Sequence, residues 1–371
     1  MGQRRLAPFV PEGAAEVRER LRSARAKASR ARGPRTAWFM TVVKPCGEHA
    51  GKMARYLDFM RAAVVSGLLN APSLAPYVVY TYQAGQTFGE VDDFYVWLES
   101  AGVRVVPHTL SFGDLLSERA VSQEANLNVG CWSRLDIPRI VTDQLHDEFV
   151  RLGIRTDYVL YTDADVMLAA DFPSHSRLRH CSGCPRYPEP SCCGRRLKPE
   201  APRWFLAGSD ADMVPGQMNS GVMYLNVRSM ADEMPKLVEY ASQHKWDFPH
   251  KDNGLLDMYF TRRMFETNVK LWDQFDDAVY NSRAFMKAAG RRSKIWHWHG
   301  FKPADVQCWL RELQAGRMER FVYNCSDKSV NNMLAADLLQ KDPCSYYLHM
   351  QLLGQYERLL DIASRIAEYL A

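Results

Sequence analysis

Tyr158-Val-Leu-Tyr-Thr-Asp163-Ala-Asp165-Val-Met-Leu168 is an apolar segment broken by two carboxylates one residue apart. Side chains alternate across an extended chain, so Asp163 and Asp165 are expected on one side and Ala164 on the other. The flanking Val159, Leu160, Tyr161, Val166, Met167 and Leu168 are apolar enough for a core strand. Two carboxylates in such a strand are costly unless compensated, and one divalent cation neutralises both. The competing reading has one Asp capping a turn and the other solvated, and it is the commoner one for an isolated Asp-x-Asp. The rest of the chain decides between them.

Upstream, Trp38 to Val43 reads as a first strand that ends in a turn at Lys44-Pro45-Cys46-Gly47. Met53, Tyr56, Leu57, Met60, Ala63, Val64 and Leu68 then recur at helical spacing. Tyr77 to Tyr82 forms a second strand, Asp92 to Ser100 a helix with Phe94, Trp97 and Leu98 inward, and Val103 to Val106 a third strand. This alternation predicts an α/β fold: a mostly parallel sheet flanked by helices, with ligands bound beyond the carboxyl ends of the strands. Neither a Gly-x-Gly-x-x-Gly nor a Walker-type loop follows the first strand, so phosphate would be handled by other groups. Arg134 opens the helix before the acidic pair, where it either reaches a site at the strand ends or forms a surface ion pair.

Downstream, residues 171–202 are rich in proline and hold Cys181, Cys184, Cys192 and Cys193. A loop of this length is a lid or binding loop in many proteins. Its cysteines are read as free thiols, with a structural zinc as the less favoured alternative. Met218 to Val227 is an apolar strand introduced by Asn219-Ser220-Gly221, and Gly221 permits close approach of the backbone to a ligand or partner strand. A helix over 230–243 follows. Lys251-Asp252-Asn253 opens the next one, either as an ordinary cap or as part of a polar site. In Ile295-Trp-His297-Trp-His299-Gly300-Phe-Lys302-Pro303 the two histidines share one face of a strand and the tryptophans the other. A neutral imidazole suits a borderline cation, and Lys302 offers positive charge to a phosphate. Residues 305–313 and 346–370 read as helices.

The 371 residues carry a net charge of +4, but residues 1–35 hold ten Lys/Arg against three Glu, so the remainder is net negative. Basicity thus belongs to the N-terminus, and residues 1–36 are expected to be a solvated, disordered tail with no nucleic-acid partner. Nine cysteines, an odd and scattered set, suit a reducing compartment. No apolar run approaches the ~18 residues of a membrane span, and no secretory signal is visible, so a cytoplasmic location is expected.

With these residues in view, the chain resembles the GT-A glycosyltransferases, and most closely family 8, which includes glycogenin and bacterial lipopolysaccharide galactosyltransferases. Five segments carry the resemblance in order: Arg134 in Trp-Ser-Arg-Leu, Asp163-Ala-Asp165, Asn219-Ser-Gly, Asp252-Asn253, and His299-Gly300-Phe-Lys302-Pro. Asn253 stands where the family has Gln, and Ala304 where it has Trp. The resemblance spans roughly residues 37–305 and implies a catalytic domain there, interrupted by 171–202, with 306–371 as a helical extension. It implies sugar transfer from a nucleotide-diphosphate donor, a UDP-sugar, to a glycan or protein acceptor, with retention. Asp163, Asp165 and His299 would ligate the metal. Arg134, Asp163, Gly300 and Lys302 would hold the donor, and Asn219, Asp252 and Asn253 would face the sugar as catalytic residues. Mixed carboxylate and imidazole ligation favours Mn2+, with Mg2+ as the alternative. A nucleotidyltransferase and a non-catalytic scaffold are the rival readings; the first lacks its basic Gly-rich loop, and the second would be expected to have lost metal ligands.

Overall fold

The computed structural model describes residues 9–30, 33–44, 50–83, 85–116, 130–173, 178–181, 195–196, 204–209, 218–249, 251–267, 272–283, 292–298, 302–304, 306–308 and 343–371. Its centre is a sheet whose faces can be read from the alternation in β1 (Thr36–Val43). Trp38, Met40 and Val42 enter one apolar cluster, while Ala37, Phe39 and Val43 enter another. The next strand, β2 (Leu74–Thr81), divides the same way, with Leu74, Val78 and Tyr80 opposite Ala75, Tyr77 and Val79. A sheet buried on both faces needs helices on both. The first face is covered by α1 (Ala14–Arg30), α2 (Ala50–Asn70), α3 (Asp93–Ser100) and the C-terminal α9 (Pro343–Ser364) and α10 (Ile366–Leu370). The second is covered by α4 (Ile137–Ile140), α5 (His146–Leu152), α6 (Val227–Gln243) and α7 (Asp252–Thr267); α8 (Asp277–Tyr280) is a single turn.

With β3 (Arg104–His108), β4 (Tyr158–Thr162), β6 (Arg179–Cys181), β7 (Arg195–Arg196), β8 (Phe205–Ser209), β9 (Met218–Asn226) and β10 (Trp272–Phe275), the sheet runs in the order β3-β2-β1-β4-β9-β8-β10-β6-β7. It is parallel from β3 through β4, antiparallel at β9, and parallel again between β8 and β10. This mixed sheet between two helical layers is consistent with a GT-A type of fold. The strands β8 and β10 are not evident from the sequence pattern. No helix among the described residues is long and apolar enough to cross a membrane.

Two expectations are corrected. The stretch 158–168 is not one strand. After β4 the chain leaves the large sheet, and β5 (Val166–Leu168) pairs antiparallel with β11 (Ile295–His297) in a separate ribbon. Asp163-Ala164-Asp165 is the crossing between the two sheets. Residues 9–30 of the basic N-terminus are likewise not a disordered tail: α1 docks through Val17, Leu21 and Ala24, and Phe9 and Val10 are buried ahead of it. Valine and leucine one turn apart make an apolar stripe that charge counting overlooks.

Candidate functional site

Three strand ends meet where β4 passes into β5. Asp163 is held at the end of β4 by its backbone N–H, which donates to the Gly221 carbonyl in β9 at 2.8 Å. Asp165 begins β5, and the ribbon register sets His297 opposite Val166 while the Trp298 N–H donates to the Asp165 carbonyl at 2.9 Å. Pairing thus places His297 against the acidic pair. One ligand atom from each of Asp163, Asp165 and His297 lies within 4.8 Å of the other two. The Asp165 and His297 side chains are buried, that of Asp163 is about one third exposed, and His297 Nε2 stands 3.4 Å from Asp165 Oδ1.

The imidazole is oriented from behind. Its Nδ1 lies 2.8 Å from Asn281 Oδ1, and the Asn281 amide nitrogen faces Asp277 Oδ1 at 3.5 Å. With the amide oxygen toward the ring, Nδ1 carries a proton, and Nε2 is the ring atom that faces the carboxylates. A ring oriented from its second nitrogen is the arrangement of metal-binding histidines. Gly221 makes the space: a Cβ there would lie 2.9 Å from Asp163 Oδ2 and 3.0 Å from His297 Nε2. Two carboxylates and an oriented imidazole around a side-chain-free backbone fit a divalent ion.

Two cations flank the carboxylates. The Lys302 ammonium pairs with Asp165 Oδ2 and donates to the Trp298 carbonyl at 2.8 Å. Burial works to lower the Lys302 pKa, but the Asp165 charge and hydrogen bond outweigh it, and the pKa is raised. Burial works to raise that of Asp165, and Lys302 with His297 hold it well below the usual carboxylate range. Arg134 is buried and directs its donors to four places. Nε reaches the Cys131 carbonyl at 3.0 Å and Asp252 Oδ2 at 3.1 Å, Nη1 the Ser220 carbonyl at 2.7 Å, and Nη2 Asp163 Oδ1 at 2.9 Å. Its guanidinium lies 4.6 Å from the Tyr161 ring centroid, and the Tyr161 hydroxyl donates to Asp163 Oδ1 at 2.7 Å. Arg134 is therefore placed to position Asp163 and Asp252.

At the start of α7, Asp252 is buried and Asn253 Oδ1 accepts the Ser220 N–H at 2.8 Å. Burial first, opposed by Arg134 and reinforced by Asp163, pushes the Asp252 carboxyl up to about 6. Asn219 is buried beside them, its Oδ1 accepting the Gly221 N–H at 3.2 Å. The structure thus brings together Arg134, Asp163, Asp165, Asn219, Asp252, Asn253 and Lys302. His299 and Gly300 lie outside the described residues, as do Cys184, Cys192 and Cys193, while Cys181 lies in β6, one strand in from the far edge of the sheet. Among the described residues His297 is the histidine at the acidic pair, and Asn281, Ser220 and Tyr161 are partners that sequence reasoning did not single out. The alternation in 295–299 marks both histidines, but nothing local marks Asn281.

No protein-family model matches the chain, and no curated protein matches it. Among solved structures it is similar to the apo form of the glycosyltransferase GlyE of Streptococcus pneumoniae TIGR4, at 12% identity and a TM-score of 0.37, over 66% of this chain and 46% of that one. A second GlyE structure gives 13% identity and a TM-score of 0.39 over 82% and 64% of the two chains. Apo mouse xyloside xylosyltransferase 1 gives 11% identity and 0.39 over 71% and 97%. The chain spans less than two thirds of either GlyE chain. No site residue is assigned from these similarities.

Proposed function

We propose that the chain is a metal-dependent glycosyltransferase that moves a sugar from a nucleotide-diphosphate donor, a UDP-sugar, to a glycan or protein acceptor with retention of configuration. The observation that carries the reading is the convergence of Asp163, Asp165 and the oriented His297 within 4.8 Å at the carboxyl end of β4. The ordered resemblance of the motifs supports it. Asp163, Asp165 and His297 would hold the ion, and their mixed oxygen and nitrogen donors favour Mn2+ over Mg2+. When bound, the ion supplies Lewis-acid stabilisation of charge developing on the diphosphate.

The remaining work falls to the chain itself. Lys302, kept protonated beside Asp165, offers a second positive charge to the leaving diphosphate. Arg134 holds Asp163 and Asp252 in place, so that the ligand and the sugar-facing carboxyl share one anchor. Asp252, Asn253 and Asn219 form the polar wall toward the sugar. Ser220 ties the first two together, its N–H donating to Asn253 and its hydroxyl to Asp252 at 3.2 Å.

The test is hydrolysis of a panel of sugar nucleotides with and without manganese, by the wild type and by Asp165→Asn. Turnover of one donor, dependent on manganese and lost in the variant while its circular dichroism is unchanged, is the expected result. Equal turnover by both proteins would remove the metal assignment and the reading with it.

A further inference from the structure

At the carboxyl end of β3 a cavity of about 340 Å³ opens, lined among others by Phe88, His108, Ser111, Arg139 and Asp143. That end of β3 is three strands from β4, about 14 Å along the sheet at ordinary strand spacing, so the cavity is separate from the ion site. Its base is an organised polar group. The Asp136 carboxylate, 1% exposed, faces His108 Nε2 at 2.8 Å and accepts from the Ser111 N–H at 2.8 Å and the Ser111 hydroxyl at 2.6 Å. A carboxylate only accepts, so Nε2 carries a proton, and Nδ1 is the ring's other polar atom. His108 is 8% exposed, and its Nδ1 has no hydrogen-bond partner among the described residues. At the mouth, Arg139 Nε donates to Asp143 Oδ2 at 3.2 Å, which leaves its Nη groups without a partner among the described residues. Phe88, 61% exposed, adds an aromatic face at the rim.

The chemistry narrows the ligand. An anion would meet the Asp143 carboxylate in the lining, already paired with the one guanidinium there. An apolar ligand would cover His108 Nδ1 and leave it unsatisfied. A neutral polyol supplies hydroxyls, which pair with Nδ1 as donor or acceptor, oxygens to accept from the Nη groups, and a C–H face for Phe88. The volume is within the range of small-molecule sites.

We propose that this cavity is a subsite for a neutral sugar unit of a glycan, remote from the point of transfer. Assigning that glycan to the acceptor rests on the glycosyl-transfer reading. The binding itself does not. The experiment uses the full chain with 15N-labelled histidine, titrated with free glucose, galactose, xylose and N-acetylglucosamine, with uridine and inorganic phosphate as controls. Expected is a saturable shift of the His108 ring signals with at least one sugar, and affinity weakened by about tenfold in Phe88→Ala or Arg139→Ala. Manganese-dependent donor hydrolysis should be unchanged in both variants. No response of His108 to any of the sugars, a response to uridine or phosphate instead, or undiminished sugar affinity in both variants would overturn the proposal. Sugar binding at His108 in a protein that hydrolyses no donor would uphold the subsite while removing the transfer reading, so the two failures are distinguishable.

Discussion

Replacing Gly221 by alanine tests the ion site with one methyl group. The added Cβ would overlap His297 Cε1 and lie 2.9 Å from Asp163 Oδ2 and 3.0 Å from His297 Nε2, all inside ordinary contact. Relief requires the carboxylate to retreat by about 0.5 Å and the ring by about twice as much. Neither can move freely: Arg134 and Tyr161 hold Asp163, and Asn281 holds the ring. Overpacking of this kind costs about 1–3 kcal/mol. Should that cost fall on ligand geometry, manganese binding weakens by about 5- to 150-fold. The assay is the electron paramagnetic resonance signal of free Mn2+ in titrations of Gly221→Ala and wild type, with circular dichroism to establish that both are folded. Wild-type affinity in a folded Gly221→Ala would refute the argument, because it would mean that Asp163 and His297 do not bind the ion together.

Asn281→Ala removes the acceptor that fixes the His297 tautomer and should weaken manganese binding by about 10- to 100-fold, whereas Asn281→Asp, which keeps an acceptor at Nδ1, should retain most of it; equal affinities in the two variants would count against the oriented ring. For Asp252, the folded carboxyl is raised from 3.8 to about 6, so the folded state binds more protons than the unfolded one across that window and stability falls as pH rises through it. Urea unfolding measured from pH 4 to 7 should lose part of that slope in Asp252→Asn, and an unaltered slope would assign it to other groups. Deleting residues 1–33 strips Phe9, Val10, Val17 and Leu21 from the core, at roughly 1.5–3 kcal/mol for each large side chain. The urea midpoint should drop, and an unchanged midpoint would mean that α1 is not docked.

The first half of the sheet was legible because its strands and helices alternate, each strand a near-continuous apolar run of the kind that a sheet buried on both faces requires. The second half was not. The strand β8 (Phe205–Ser209) follows the proline-rich 171–202 and contains only two large apolar residues, and β10 (Trp272–Phe275) sets the adjacent Asp273 and Gln274 between Trp272 and Phe275, with no period-2 alternation. So short a segment carries too few periods to separate strand from loop. In the N-terminal segment the opposite error arises. Six Lys/Arg in α1 dominate its composition, yet Val17, Leu21 and Ala24 suffice to seat it, because packing is decided by one face of a helix and charge is counted over all of it. The site shows the same division. Asp163 with Asp165, and His297 with His299, are marked by their spacing of two in the sequence. Asn281 is marked by nothing near it, because its partner is sixteen residues away on the ribbon.

The charges around β4 bear on why a cation would be needed at all. Asp163, Asp165 and Asp252 converge on Arg134 and Lys302, which leaves three carboxyls for two fixed cations. The structure relieves part of this by raising the Asp252 carboxyl, since burial and the neighbouring Asp163 favour its proton. Lys302 relieves another part, but only by remaining on Asp165. A diphosphate arriving here would compete for Lys302 and face Asp163 and Asp165 uncompensated. An ion held by Asp163, Asp165 and His297 would remove that conflict, because it neutralises the acidic pair and frees the ammonium for the donor at the same time. The Asp165–Lys302 pair is then a resting contact to be exchanged, and donor affinity should depend on manganese more steeply in the wild type than when Lys302 is replaced by methionine.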